Sequence, residues 1–289
     1  MRKAIIDIGT NSTKLLVADN EKGSWEKIIS LLEFTRIGES IGKEQIIKPE
    51  PLKRTAECIK NFIAIAQKEN CAEISVSATS AIRDAQNRTE VCAFITKYCG
   101  KKVEVLSGEQ EAYLSYLGAV GSFDEHTAVL DIGGGSSELA YSFKDKLFIN
   151  SVAVGAVRLK ERPEMLNNLE EALRALLPKE GKITKLVAVG GTATTLAALE
   201  QDMQEYNSDL VHKYPLSRES VAKWRTKLGK MSVEEIKALK IIPAKRADVI
   251  YYGVLILDTI MQLGKMPEVL VEDRDLMYGL LQQDENRPF

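Results

Sequence analysis

Asp131-Ile132-Gly133-Gly134-Gly135-Ser136-Ser137-Glu138 brings two carboxylates, three glycines and two hydroxyls together within eight residues. Glycines let a backbone bend without Cβ clashes and let its N–H groups approach an anion closely. A carboxylate beside such a cradle repels a phosphate unless a cation lies between them. The combination therefore points to metal-assisted phosphate chemistry. The same device opens the chain: Asp7-Ile8-Gly9 is followed by Thr10, Asn11, Ser12 and Thr13, with acid, isoleucine, glycine and hydroxyls in the same order. Two copies in one chain suggest an internal duplication. A further glycine turn stands at Gly190-Gly191-Thr192. Backbone N–H groups at these turns, with the hydroxyls of Thr10, Ser12, Ser136 and Thr192, are suitable donors to phosphate oxygens. One glycine pair after a strand is only a turn. Three in this order, two of them preceded by Asp-Ile-Gly, carry more weight. Neither G-x-x-x-x-G-K-[ST] nor a proper G-x-G-x-x-G occurs, so P-loop and Rossmann readings fail.

Elements of the right kind flank each device. Apolar runs at Ala4–Ile6 and Ala128–Leu130 deliver the acids, and Leu15–Val17 and Leu139–Tyr141 lead away, so each copy reads as strand, tight turn, strand. A third strand is expected from Trp25 to Phe34, ending in Thr35-Arg36-Ile37-Gly38, and its counterpart from Leu147 to Val154, ending in Gly155-Ala156-Val157-Arg158. Helices and strands then alternate. The first half carries helices over Leu52–Lys68, around Val91–Tyr98 and from Ser107 to about Val120, with strands at Ile74–Ala78 and Val103–Leu106. The second half carries helices at Leu166–Leu177, Ala193–Gln201, Ser217–Leu228, Ser232–Leu239, Arg246–Leu263 and Leu276–Gln283, and strands at Leu186–Val189 and Val269–Val271. Ser107 with Gln110, and Ser232 with Glu235, have the capping-box pattern. The pattern implies two mixed α/β domains, residues 1–120 and 121–289, with the last helix, within 276–289, able to return to the first domain. No Pro/Gly/Ser-rich linker separates them, so a hinged contact with a ligand cleft is expected.

Composition narrows the class. The chain has 289 residues, 45% apolar and 28% charged, with a net charge of −2. No domain-wide basic field is present to recruit nucleic acid, so a polyanion must be held by local charge. The four cysteines show no CxxC spacing and read as reduced thiols, and two histidines are too few for a histidine-rich zinc site. The N-terminus meets Asp7 too soon for a signal peptide, and no apolar run approaches the roughly 20 residues that span a bilayer. A cytoplasmic protein is expected, without membrane partners, and a homodimer is compatible with it.

The two hairpins and the Gly190-Gly191-Thr192 turn resemble the phosphate and nucleotide loops of the actin/Hsp70/sugar-kinase superfold. Further segments are similar to the exopolyphosphatase/guanosine pentaphosphate phosphohydrolase family: Thr35-Arg36-Ile37-Gly38-Glu39, Ser77 through Ala85, Leu106 through Ala112, Gly155 through Leu159, and Arg246 through Ile250. The resemblance covers nearly the whole chain in order. It implies two actin-like (ribonuclease H-like) domains, each a mixed sheet flanked by helices, and a hydrolase that releases terminal phosphate from inorganic polyphosphate or guanosine pentaphosphate. It implies Glu111 as the catalytic glutamate that orients or deprotonates water, and Arg83 as the arginine gripping the phosphate chain. It implies Asp131 and Glu138 as acids associated with Mg²⁺. The phosphate loops are then Gly9, Thr10, Asn11 and Ser12; Gly133, Gly134, Gly135 and Ser136; and Gly190, Gly191 and Thr192. Arg36 and Arg158 could extend the anion track, and Asp7 could simply brace its turn. Two rival functions share these loops: a sensor that binds guanosine penta- or tetraphosphate with little turnover, and a small-molecule kinase. Two departures from the family pattern stand out. Lys213 occupies a position usually held by glycine, and Glu272, Asp275, Met277 and Tyr278 stand where Ser, Gly, Arg and Glu are usual.

Overall fold

A computed structural model describes residues 1–21, 23–41 and 44–283. Contacts divide the chain into Met1–Glu111 with the described residues after Gly279, and Ala112–Gly279.

In the first unit, β1 (Arg2–Ile8) and β2 (Thr13–Glu21) form the expected hairpin, and β3 (Ser24–Glu33) pairs antiparallel with β2. α1 (Pro49–Lys68) leads to β4 (Glu73–Ala78), which lies parallel to β1. α2 (Ser80–Arg83), α3 (Arg88–Cys99) and β5 (Val103–Val105) complete a sheet of order β3-β2-β1-β4-β5. Pro49 suits the first turn of α1, where its missing N–H has no intrahelical role. Ile59, Ile63 and Ala66 recur on one face and bury against Ile6, Ile8, Leu15 and Val17 of the sheet. Each fully buried isoleucine contributes about 1.5–3 kcal/mol. α4 (Gly108–Val120) opens with the expected capping box: Ser107 N donates to Gln110 Oε1 at 2.8 Å, and Gln110 N donates to Ser107 Oγ at 3.1 Å. That box sets the first turn of α4, which carries Glu111.

The second unit repeats the scheme. β6 (Thr127–Ile132), β7 (Ser137–Phe143) and β8 (Lys146–Val152) form an antiparallel meander. α5 (Ala156–Glu161), a 3-10 turn over Pro163–Asn168 and α6 (Leu169–Arg174) precede β9 (Lys185–Val189), parallel to β6. α7 (Gly190–Glu200), α8 (Ser208–Val211), β10 (Tyr214–Ser217), α9 (Arg218–Leu228) and α10 (Val233–Lys237) follow. A 3-10 turn at Ala244–Arg246 leads to α11 (Ile250–Leu263), β11 (Glu268–Val271) and α12 (Leu276–Gln282). The sheet order is β10-β11-β9-β6-β7-β8. Taken from β8, the run β8-β7-β6-β9-β11 matches β3-β2-β1-β4-β5 in order and direction, with β10 added at the edge. The duplication suggested by two short motifs therefore extends to strand topology.

Alternation along β6 decides what each side chain meets. Leu130 and Ile132, with Leu139 and Tyr141 of β7, pack toward Val254, Leu257 and Ile260 of α11. Val129 and Ala140 face the other way, against Ala112 and Tyr116 of α4. Asp131, two residues after Val129, therefore belongs to the α4 face.

Several expectations are corrected. The helix expected over 166–177 is a 3-10 turn followed by six residues of α6, because Asn167 and Asn168 bond locally better than they propagate a helix. The helix expected from Arg246 begins at Ile250. α7 starts at Gly190 rather than after Thr192. β10 was hidden by Pro215, which a sheet edge tolerates because its missing N–H faces outward. No helix among the described residues is long and apolar enough to cross a membrane.

Candidate active site

The two Asp-Ile-Gly turns close alike. Gly9 N donates to Ser12 O at 2.9 Å, and Gly133 N donates to Ser136 O at 3.0 Å. Each is then held from behind through its carbonyls. In the first unit Arg36 N donates to Asn11 O, and Gly38 N to Thr10 O, both at 3.0 Å. In the second, Ala156 N donates to Gly133 O at 3.0 Å, Val157 N to Gly134 O at 2.8 Å, and the Arg158 side chain to Gly135 O at 2.6 Å. Among the described residues, no chain acceptor takes the N–H groups of Thr10, Asn11, Gly134 or Gly135. Two loops with carbonyls occupied and N–H groups left over have the backbone arrangement that suits an anion. The Asn11 side-chain oxygen is also buried without a hydrogen-bond partner among the described residues. Gly155 makes the second arrangement sterically feasible: a Cβ there would lie 2.5 Å from the Gly134 carbonyl carbon.

The third glycine turn is the first turn of α7. Gly190 has φ +83°, a left-handed conformation that favours glycine, and a Cβ on it would lie 3.0 Å from Asp131 Oδ1. The start of an eleven-residue helix thus abuts a carboxylate, a favourable dipole arrangement. Arg246 clamps this start by donating to Gly191 O at 2.9 Å and to Thr195 Oγ1 at 2.7 Å. Burial lowers the pKa of its guanidinium to about 10. Thr192 is buried, with its side chain against Gly253 of α11.

Asp131 and Glu138 are register partners across β6 and β7, so their side chains share one face. Ser115 Oγ, on α4, donates to Asp131 Oδ2 at 2.7 Å, and Ser151 Oγ, on β8, donates to Glu138 Oε1 at 2.9 Å. Among the described residues no group of three or more His, Cys, Asp or Glu side chains is arranged to hold a metal ion. Asp7 occupies the matching place in the first unit, between Lys14 and Ser77 in register, and is 7% exposed.

Glu111, 7% exposed in the first turn of α4, forms an ion pair with Arg83 Nη1, and the same nitrogen donates to Leu106 O at 3.2 Å. Arg83 Nε lies 3.4 Å from Asp84 Oδ1. The structure therefore brings together Glu111 and Arg83, and Asp131, Glu138 and Gly190. Ser115 and Ser151 were not singled out from the sequence. A lone serine in a helix or strand has no signal of its own, and only pairing register with the acids exposes it. Arg158, expected along the anion track, bonds the Gly135 carbonyl of the glycine turn through its Nε.

Residues 16–287 match the Ppx/GppA phosphatase family. The chain is 32% identical to a bifunctional 3-dehydroquinate synthase/phosphatase of Fusobacterium nucleatum, covering 99% of this chain and 47% of that one. It thus spans about half the length of that relative. It is 29% identical to exopolyphosphatase 2 of Mycobacterium tuberculosis, covering 96% and 97% of the two chains. Among solved structures, the Ppx/GppA family member of Aquifex aeolicus superposes with a TM-score of 0.80 at 28% identity, covering 98% of this chain and 96% of that one.

Proposed function

The chain belongs to the Ppx/GppA phosphatase family, and from that premise we propose that it hydrolyses the terminal phosphoanhydride of inorganic polyphosphate, of guanosine pentaphosphate, or of both. One observation carries the reading: both glycine turns have their carbonyls tied from behind and their N–H groups left as donors. Phosphate oxygens are the acceptors such cradles suit. Negative charge on the transferred phosphoryl is what a hydrolase must stabilise, and preorganised N–H groups do so without reorganising during the step.

Glu111 accepts a hydrogen bond from the attacking water and draws its proton as the new P–O bond forms and the bond from the terminal phosphorus to the bridging oxygen breaks. Inorganic phosphate and the shortened chain, which bears the bridging oxygen as a phosphate oxygen, then leave. Arg83 keeps that carboxylate fixed, so in this conformation it acts first as the holder of Glu111. A guanidinium has further N–H groups with which to meet a phosphate oxygen.

The donor set fits Mg²⁺. Two carboxylates directly opposite on neighbouring strands repel one another unless a cation lies between them. Mg²⁺ is commonly held by one or two carboxylates together with substrate phosphates and waters, rather than by a cage of protein ligands. Asp131 and Glu138 would hold it. When bound, the ion neutralises charge on the phosphoryl oxygens.

Incubation of the purified chain with Mg²⁺ and long-chain polyphosphate, guanosine pentaphosphate, or ATP plus candidate acceptors tests the reading. Phosphate release from either of the first two, with no acceptor, supports it. Binding without release assigns a sensor, and transfer only to an acceptor assigns a kinase.

A further inference from the structure

The carboxylate row does not end at its two acids. Asp131, Glu138 and Ser151 are successive register partners across β6, β7 and β8. Ser151 bonds Glu138 Oε1 at 2.9 Å at one end of the row. At the other end Ser115, one helical turn beyond Glu111 on α4, bonds Asp131 Oδ2 at 2.7 Å. Each acid has its own serine, reached from a different element.

The pairing has a physical consequence. Glu138 is 2% exposed and lies directly across the ladder from Asp131, so the two like charges favour rotamers that separate them. A hydroxyl donating to one oxygen of each carboxylate opposes that separation and fixes the side-chain torsions. Ser115 is itself 1% exposed, so water cannot replace its hydroxyl freely. We infer that Ser115 and Ser151 are positioning residues of a divalent-cation site at Asp131 and Glu138, holding both carboxylates in the orientation that ligates the ion. The inference rests on the metal reading of those two acids. Neither serine touches the cation, and both act through the acid they bond. Loss of a group that orients a metal ligand weakens the metal roughly 10–100-fold.

The test uses Mn²⁺ alone, in place of Mg²⁺, with free ion followed by electron paramagnetic resonance on the full chain without substrate. Ser115→Ala and Ser151→Ala are each expected to weaken Mn²⁺ binding roughly tenfold. Ser151→Thr, which keeps the hydroxyl at an exposed strand position that accepts β-branched residues, restores it. Asp131→Asn is the arm for the underlying reading. If wild type binds no Mn²⁺, or Asp131→Asn binds as wild type does, the metal site itself is refuted. If Asp131→Asn loses the ion while both alanine variants keep wild-type affinity, the metal site stands and the serine assignment is overturned. Metal-free melting curves check that each variant folds. Should Ser115→Ala not fold, the Ser151 pair decides the question, because its site is exposed.

Discussion

Arg83 and Glu111 form a nearly buried ion pair, with side chains 18% and 9% exposed, and Arg83 also bonds the Leu106 carbonyl just before α4. The sequence resemblance assigned them separate tasks, one gripping phosphate and one handling water. Their contact ties the two side chains to one another. A guanidinium pinned to the loop ahead of α4 restricts the carboxylate on that helix's first turn.

Removing one partner of a buried pair strands the other. Arg83→Ala is therefore expected to destabilise by about 3 kcal/mol, and the Arg83→Ala/Glu111→Gln double variant to recover most of that loss. Glu111→Gln alone should cost less than Arg83→Ala, about 1–2 kcal/mol, because the amide oxygen can still accept from Arg83 and Asp84 Oδ1 lies 3.4 Å from the same guanidinium. It should lower kcat roughly 10²–10⁴-fold if it removes the water-handling group. Urea denaturation and phosphate release measure the two effects separately. A double variant no more stable than Arg83→Ala would show that the pair is not what holds Glu111.

Much of this was legible because chemistry and topology repeat together. Asp7-Ile8-Gly9 and Asp131-Ile132-Gly133 announced two hairpins, and the strand order extends that likeness to five strands each. What escaped the sequence depended on contacts between distant residues. Gly190 looks like a turn until its φ of +83° and its closeness to Asp131 show that α7 begins there. Ser115 and Ser151 lie 16 and 13 residues from their acids, on other elements, so no local pattern marks them. Arg158 is expected along the anion track, and its hydrogen bond to Gly135, 23 residues away, has no local sequence signal.

Lys213 explains one departure from the family pattern. Its φ is +61°, and its N–H donates to Val271 O at 2.7 Å as the chain enters β10. A Cβ in that conformation costs roughly 1–2 kcal/mol, partly offset by the roughly 0.5–1 kcal/mol that glycine loses in chain entropy. Lys213→Gly is expected to stabilise by about 0.5–1 kcal/mol, read as a higher urea midpoint at unchanged slope. A lower midpoint would mean the lysine side chain makes contacts worth more than its strain.

Acid stability offers an independent reading of the turn before β6. Lys185 donates to Asp124 Oδ2 at 3.0 Å and Thr127 Oγ1 to the same oxygen at 2.9 Å. Both bonds, Lys185 first, hold the Asp124 carboxyl below its usual range. A carboxyl depressed on folding stabilises above its unfolded pKa, about 4, and that contribution disappears as pH falls through the lower folded value. Asp124→Asn should therefore be less stable than wild type at pH 6, with the gap closing as pH falls below about 4. A gap constant from pH 6 to pH 2 would rule out the carboxylate as its origin.

Gly155 tests whether the cradle at Gly133–Ser136 depends on the start of α5. A Cβ on residue 155 would lie 2.5 Å from Gly134 C, 2.6 Å from Gly134 O and 2.6 Å from Gly135 C. All three are backbone atoms of the loop whose N–H groups are proposed to bind phosphate, so no side chain can yield to make room. Gly155→Ala must push α5 and the turn apart, stretching the bonds from Ala156 and Val157 to the Gly133 and Gly134 carbonyls. Overpacking of this kind costs about 1–3 kcal/mol. Its larger effect should fall on substrate binding, because a cradle works only while its N–H groups converge. The expected result is a raised KM for polyphosphate, exceeding any fall in kcat, in a variant that still melts cooperatively. An unchanged KM alongside the expected loss of stability would mean that the turn is structural and that phosphate is bound elsewhere.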